Sequence, residues 1–477
     1  MSNKYSVFES YEFFGEFSID STFEDTRTGR LTFDSEDGLR LQLFGSFWGD
    51  NETLNLSFEQ PQIINGFLVG GKPISLYRNI VINKSGGFDP SDCVMTFSCQ
   101  FAMFGAQFKI GVEPSFKAFE FSFTQIESWF LDQPFKGELP GSGEDTYTLK
   151  FKLPTDIKAN IAFNNIEFKS NTRSSFKQGI SPEDYGIDYA RSIILRPQKE
   201  YSFDDFLNIS GSLLNLFSIL IGEQVYFTSI RALDYDDTNT SMEKTKLQGE
   251  VLFTPSISSK PKSKTFYELP TNFKRIENDL EGILNKWFFL NEKIPGAIHL
   301  FAKSFKRKNK FEELDLLIII KAIEGYHRGI FENEFRIPPE SHTILVSKVL
   351  DSLPELEDQN FLAMIKDKVT YSNDLSLRNR LRKLINTLPE NLQTFLYKDK
   401  AKFIEKIINT RNYMTHYDET TKKEIFEGRE ALFVTNRLTC LLTILVYKEL
   451  GFDELDSTKK LTQIGKFGYL LQKPILT

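Results

Sequence analysis

The chain has 477 residues, three cysteines and a formal net charge of −7. That length exceeds what one hydrophobic core normally serves and predicts two or three domains. The acidic balance excludes a whole-surface affinity for polyanions, so any nucleic-acid site must be local.

The first residues, MSNKYSVFESYEFFGEF, mix acids among aromatics and lack the basic end and apolar core of a signal peptide. From there to about residue 170, phenylalanine, which occurs 46 times in the chain, alternates as in Phe97, Cys99, Phe101 and Phe119, Phe121, Phe123. A period of two predicts half-buried strands. Glu36-Asp37-Gly38, Gly70-Gly71, Ser85-Gly86-Gly87 and Pro140-Gly141-Ser142-Gly143 supply the turns of an antiparallel sandwich or barrel. Cys93 and Cys99 fall on one sheet face, too far apart along the strand to bridge, so no disulfide framework is read and a reducing compartment is expected.

The period changes at Ser202 to Gly222, where Phe203, Phe206, Leu207, Leu213, Leu214, Phe217 and Leu220 predict one inserted helix capped by Ser202. Val225 to Ile230 and Leu247 to Phe253 read as strands around an acidic loop from Asp234 to Asn239, which lacks the spacing of a calcium loop. Pro255 to Lys264, PSISSKPKSK, has the composition of a surface connection and marks a domain boundary. Beyond it, Phe311 to Phe331, Ser341 to Leu353, Asn360 to Val369, Leu375 to Leu388, Phe403 to Asn409 and Arg429 to Leu450 predict a helical bundle. The apolar stretches near Leu213 to Ile221 and Leu432 to Tyr447 are too short, or too interrupted by Asn436 and Arg437, to span a membrane. The expectation is a soluble cytoplasmic protein with no membrane association.

Gly66 to Pro73, GFLVGGKP, nearly fits the phosphate-cradling loop, but Pro73 stands where the magnesium-binding hydroxyl belongs, and the segment reads as a β-hairpin turn. None of the four histidines, His299, His327, His342 and His416, has a second histidine or a cysteine at metal-ligand spacing, so neither a metal site nor a cofactor is expected. Basic runs occur at Lys303, Lys306, Arg307, Lys308 and Lys310, and at Arg378, Arg380, Arg382 and Lys383. Each reads either as a solvated face or as a local RNA contact, with Lys306, Arg307, Lys308, Arg378, Arg380 and Arg382 as the candidates. Glu324, His327 and Arg328 share one helical face and could pair with each other, or else Glu324 or Arg328 points into a site assembled with the segment that begins at Arg411.

The most informative segment is Arg411-Asn412-Tyr413-Met414-Thr415-His416. Its arginine is a permanent cation whose donor fork fits phosphate oxygens, and its histidine exchanges protons near neutral pH. These are the two tools of metal-free RNA cleavage. Five residues along a regular helix turn by about 500°, leaving the two side chains roughly 140° apart. Convergence therefore requires a helix break near Thr415 or a second copy of the chain, for which Leu441, Leu442, Ile444 and Leu445 offer an apolar contact beside the motif.

Arg411, Asn412 and His416 match the R-x4-H motif, with a polar residue after the arginine, that ribonucleases of the HEPN superfamily carry. The setting TRNYMTHYD before a long apolar helix ending in Leu450-Gly451 resembles the HEPN domain of the ApeA type over roughly residues 305 to 455. The segments FEDTRTGRLTFDSEDGLRLQLFG and YSFDDFLNISGSLLNLFSILIGEQVYFTSI are similar to the N-terminal domain that accompanies it. One WWLP-like segment of that domain is missing, and Phe23-Glu24-Asp25 stands there instead.

The resemblance implies a β-rich sensor or regulatory domain over 1–254, a linker and connecting helix over 255–304, a helical nuclease domain over 305–460 and a tail over 461–477. It also implies a homodimeric, metal-independent endoribonuclease cutting tRNA or other RNA in abortive infection, with a phage-derived trigger at the N-terminal domain. His416 would move the proton, Arg411 would stabilise charge on the phosphorane and Asn412 would orient the phosphate or the histidine. The alternative is a noncatalytic HEPN module that binds RNA, nucleotide or protein.

Overall fold

The computed structural model describes residues 5–48, 61–86, 93–138, 148–177, 186–233, 248–305, 313–332, 334–353, 358–417, 422, 424–463 and 468. Contacts divide the chain into two units, Met1–Asn285 and Lys286–Thr477.

In the first unit the alternating segments form strands. β1 (Tyr11–Ser18), β2 (Arg27–Asp34), β3 (Gly38–Phe44), β4 (Ile63–Leu68), β5 (Pro73–Gly86) and β6 (Cys93–Phe104) pair antiparallel in the order β6-β3-β2-β1-β4-β5, and β5 pairs back onto β6. The sequence leaves sandwich and barrel open; this last pairing makes a six-stranded barrel, which removes two sheet edges. Leu31, Phe33, Leu41, Leu43, Phe97 and Cys99 are buried at alternate positions, as the period of two requires. Cys93 and Cys99 are free and buried.

The chain continues with β7 (Ser115–Phe116), β8 (Ala118–Phe123), α1 (Ile126–Phe130), β9 (Phe135–Glu138), β10 (Thr148–Phe151), β11 (Ile157–Ile161), β12 (Ile166–Lys177), β13 (Gly186–Pro197), β14 (Tyr201–Ser202), α2 (Phe203–Ile221), β15 (Phe227–Leu233) and β16 (Gln248–Phe253). β6 outgrows the barrel. Its first part, Val94 to Cys99, pairs with β3, and its last part, Phe101 to Phe104, pairs with β16. From there an open antiparallel sheet runs β16-β15-β8-β13-β12-β11. α2 starts with a complete Ser202/Asp205 capping box and stops at Gly222, whose φ of 72° suits glycine. It covers the apolar face of this sheet: Phe206 stacks on Phe119 with centroids 5.2 Å apart, and Phe217 meets Phe123 at 4.6 Å.

The phosphate-loop look-alike is the β4–β5 hairpin, with Gly70 and Gly71 at φ 94° and 79°. Gly66 is glycine for packing, because a Cβ there would lie 2.6 Å from the Phe17 ring. The predicted acidic loop 234–239 and turn 140–143 lie outside the described residues.

α3 (Phe273–Ile276) and α4 (Leu280–Lys293) follow, α4 crossing the division between the units. The second unit then holds α5 (Pro295–Ser304), α6 (Glu313–Ile330), α7 (Pro339–Asp351), α8 (Gln359–Thr370), α9 (Leu377–Asn386), α10 (Glu390–Leu396), α11 (Lys400–His416), α12 (Gly428–Leu450) and α13 (Glu454–Gln463). The helical texture is as the sequence predicts. α12 is the central element, packed against α5, α6, α10 and α13. It is the one described helix long and apolar enough to cross a membrane, and 83% of that stretch is buried inside the structure.

Here one expectation is corrected. Leu441, Leu442, Ile444 and Leu445 are all at most 3% exposed, so they form the core of the helical unit and leave no apolar face for a second copy. Neighbouring helices bury the leucines and isoleucine of α12 from Leu438 to Leu450, which the sequence of one helix does not reveal. One group of exposed apolar side chains, Ile344, Leu345, Val349, Phe361 and Met364, sits on α7 and α8, which pack on each other and contain no buried residue.

Candidate active site

α11 begins three residues earlier than the apolar pattern predicts, because Asp399 caps it by accepting from the Ala401 and Lys402 amides at 2.9 and 3.1 Å. Phe403, Ile404, Ile407 and Thr410 form its buried face, and α11 packs against α9 and α6. The helix does not break before the motif: it runs unbroken through Thr415 to His416 and ends where Tyr417 turns left-handed, φ 52°, with its N–H on the Tyr413 carbonyl at 2.7 Å. A tyrosine in that conformation is unusual, since such caps are mostly glycine.

Arg411, Asn412, Tyr413 and Met414 are half-buried, and Thr415, His416 and Tyr417 are exposed. Arg411 Nη1 donates to Asn412 Oδ1 at 3.1 Å, and Thr415 Oγ1 donates to the Arg411 carbonyl at 2.7 Å. Among the described residues neither Arg411 nor His416 has a carboxylate partner. The guanidinium thus keeps its charge and most of its N–H groups for an anion, while the Asn412 carbonyl fixes its orientation. Because α11 stays regular, the two side chains of one chain remain roughly 140° apart around the helix axis.

The connection from α11 to α12 is tied to the motif helix by residues that periodicity does not flag. Thr410, 1% exposed, donates from Oγ1 to the Lys406 carbonyl at 2.7 Å and accepts the Phe426 amide at 2.9 Å. Asn409 donates to Glu424 at 3.2 Å, and Lys406 reaches Glu430 at 2.8 Å. Only the polar character of Asn409 and Thr410, next to Arg411, hints at this.

Other expected site residues have partners of their own. Arg328 bridges Glu324 at 3.3 Å and Asp374 at 3.1 Å. Among the described residues these groups share no hydrogen bond or ion pair with Arg411 or His416. His327, expected on the same face, is instead fully buried.

Arg380 is turned inward at 4% exposure, donating to the Leu375 carbonyl and to His327. It is therefore not on the surface that Arg378 and Arg382 share with solvent. Arg378 lies 3.9 Å from Glu405 of α11. Burial, then the Arg382 charge, lowers the pKa of Lys400, so these two cations sit close together at the start of α11. That places them about 16 residues, roughly 24 Å, from His416 along the helix. Lys306, Arg307 and Lys308 lie outside the described residues.

Comparison with known proteins returns two family matches. Residues 12–287, more than half of the chain, match ApeA N-terminal domain 1, and residues 317–456 match the Apea-like HEPN family. No curated protein and no solved structure matches. The barrel with its open-sheet extension lies within the first match, and α11 with Arg411, Asn412 and His416 lies within the second. The chain therefore belongs to the ApeA family, joining an ApeA N-terminal domain to an Apea-like HEPN domain.

Proposed function

We propose that this protein is a metal-independent endoribonuclease acting on RNA, with tRNA as the leading substrate, in antiphage defence by abortive infection in the cytoplasm. The observation that supports it most is the pair of an exposed His416 and an Arg411 held by Asn412, both without a carboxylate partner among the described residues, on the last turns of one capped helix. In this reading residues 1–254 sense a phage-derived trigger and residues 305–460 cut.

His416 takes the proton of a ribose 2′-hydroxyl as that oxygen attacks the adjacent phosphorus. Arg411 stabilises the charge on the phosphorane oxygens, and the 5′-oxygen leaves with a proton supplied by a general acid. The products are a 2′,3′-cyclic phosphate and a 5′-hydroxyl, and DNA, lacking the nucleophile, is not a substrate. A second chain resolves the angular separation within one α11 by contributing the other half of the site, which makes a homodimer part of the proposal. Its contact is then to be sought at Ile344, Leu345, Val349, Phe361 and Met364 rather than on α12.

The test is cleavage of tRNA by purified wild-type protein and His416→Ala in excess EDTA, with sequencing of the RNA ends. Cyclic-phosphate ends that vanish in the variant support the nuclease. RNA bound equally by both and cut by neither supports the second reading, a noncatalytic HEPN module that binds RNA, nucleotide or protein.

A further inference from the structure

The open sheet of the first unit has two unlike faces. On one, Phe119, Phe121, Ile193, Leu195 and Ile230 pack under α2; on the other, neighbouring strands bring together Glu120, Ser122, Ser192, Ser229 and Arg231. A polar sheet face is ordinarily left to water, yet Glu120 is 4% exposed, Arg231 5% and Ser192 7%. They line a half-open cavity of about 510 Å³, whose wall also includes Lys260 and the run Ile187 to Ser192 of β13. That volume lies within the usual range of ligand sites, about 300–1,000 Å³.

The cavity sits where two strands part. β13 pairs with β12 along its whole length, Gly186 to Pro197, but with β8 only at Ile193 to Leu195. β8 ends at Phe123, and α1 follows. Alternate residues of an antiparallel strand point both backbone groups to the same edge. Arg191 shows which edge this is: its carbonyl accepts from Ser122 Oγ of β8 at 2.8 Å. Tyr189 and Ile187 therefore aim their N–H and C=O the same way, past the end of β8, and among the described residues those groups have no partner. An unpaired strand edge is a template for another strand.

The charges on the wall are not all committed. Glu120 is held by Ser192 at 2.6 Å and by Arg173, and Arg191 by Asp132 at 2.6 Å. Arg231 gives Nη2 to Glu250 at 3.1 Å, but its buried Nε–H has no acceptor. A buried donor left in that state is destabilising, so an arriving acceptor gains there, and Lys260, whose charge acts on Glu127, adds a second cation.

We propose that the backbone groups of Ile187 and Tyr189 on the cavity side of β13 bind an extended peptide segment by strand addition, with an acidic side chain of that segment reaching Arg231 Nε. The inference gives chemical content to the sensing role proposed for this unit. It is read by binding alone, without RNA, so it stands or falls separately from the nuclease.

The experiment pans the purified full chain against displayed random linear dodecapeptides, then measures synthetic copies of the enriched sequences by fluorescence anisotropy. Peptides with an aspartate or glutamate at a fixed position are expected. Their affinity should fall tenfold or more with Ile187→Pro, which deletes an N–H facing the cavity and leaves the β12 ladder intact. Arg231→Lys, which keeps an ion pair with Glu250 but lacks Nε–H, should weaken the acidic peptides and not their amide counterparts. Should Ile187→Pro fail to fold, peptides N-methylated at single positions provide the test on wild-type protein, with loss expected at alternate residues only. Absence of enrichment, or binding indifferent to N-methylation at every position, overturns the proposal.

Discussion

Arg380 Nη1 donates to Nδ1 of His327 at 3.1 Å inside the helical unit, which fixes the tautomer of that histidine and keeps its imidazole neutral beside a permanent cation. His327 is stacked on Phe331 with centroids 4.9 Å apart and has no exposed surface. His416 has the opposite setting, exposed at a helix end. Of these two histidines, one is built into the fold and the other is open to solvent.

The first prediction concerns that free histidine. His416→Ala and Arg411→Ala should each lower single-turnover RNA cleavage by a hundredfold or more, the usual loss for a proton-transfer group or a stabiliser of developing charge. Melting temperatures should stay near wild type, because neither side chain is in the core. Full activity in either purified variant would remove the motif from the mechanism.

The buried histidine predicts a pH dependence of stability. Burial, then the Arg380 charge, brings the His327 pKa from 6.5 down to about 4. The unfolded chain thus takes up the proton first as the pH falls. Stability owed to neutral His327 is complete above pH 6.5 and is lost between 6.5 and 4, by at most about 3 kcal/mol. Urea unfolding of wild type and His327→Asn across this window should show the two curves converging toward acid. A constant difference between them would contradict the assignment.

Leu442→Ala should destabilise by about 2–5 kcal/mol, as expected for a leucine removed from a packed core. The loss should not depend on protein concentration, since the side chain is 1% exposed within one chain. A concentration-dependent loss in equilibrium unfolding would instead return α12 to an interface.

Thr410→Val leaves the Phe426 amide without its acceptor, a loss of about 1–3 kcal/mol for a buried group. It should also loosen the connection that follows His416 and reduce cleavage, whereas Thr410→Ser, which keeps the oxygen, should retain both. Thermal melts and cleavage rates of the two variants side by side decide the matter.

Much of this architecture is legible in the sequence, and the exceptions have physical causes. The alternation of Phe97, Cys99 and Phe101 marks β6, and Ser202 with Asp205 marks the start of α2, because both signals are local. Barrel closure is not legible, since a period of two is the same whether the last strand finds the first or ends in water. Arg380 reads as part of a basic surface run, and only the tertiary position of His327 turns it inward. Asp399, a polar cap outside the apolar periodicity, sets the start of the helix from Lys400 to His416. Leu441 and Leu442 mark an apolar helix correctly, but composition does not say whether a neighbour in the same chain or in another covers it.

The double duty of β6 sets an order of assembly during synthesis. All six barrel strands lie between Tyr11 and Phe104, so the barrel can close as soon as that stretch has emerged from the ribosome. The open sheet cannot be completed so early, because Phe101 to Phe104 wait for β16 at Gln248 to Phe253, and β13 joins β8 only after about seventy further residues. Pairings at such separations form slowly. The nascent chain therefore passes through a stage with a finished barrel and an unsatisfied margin on β6, and it is during this interval that a trapping chaperone or an aggregating neighbour would act.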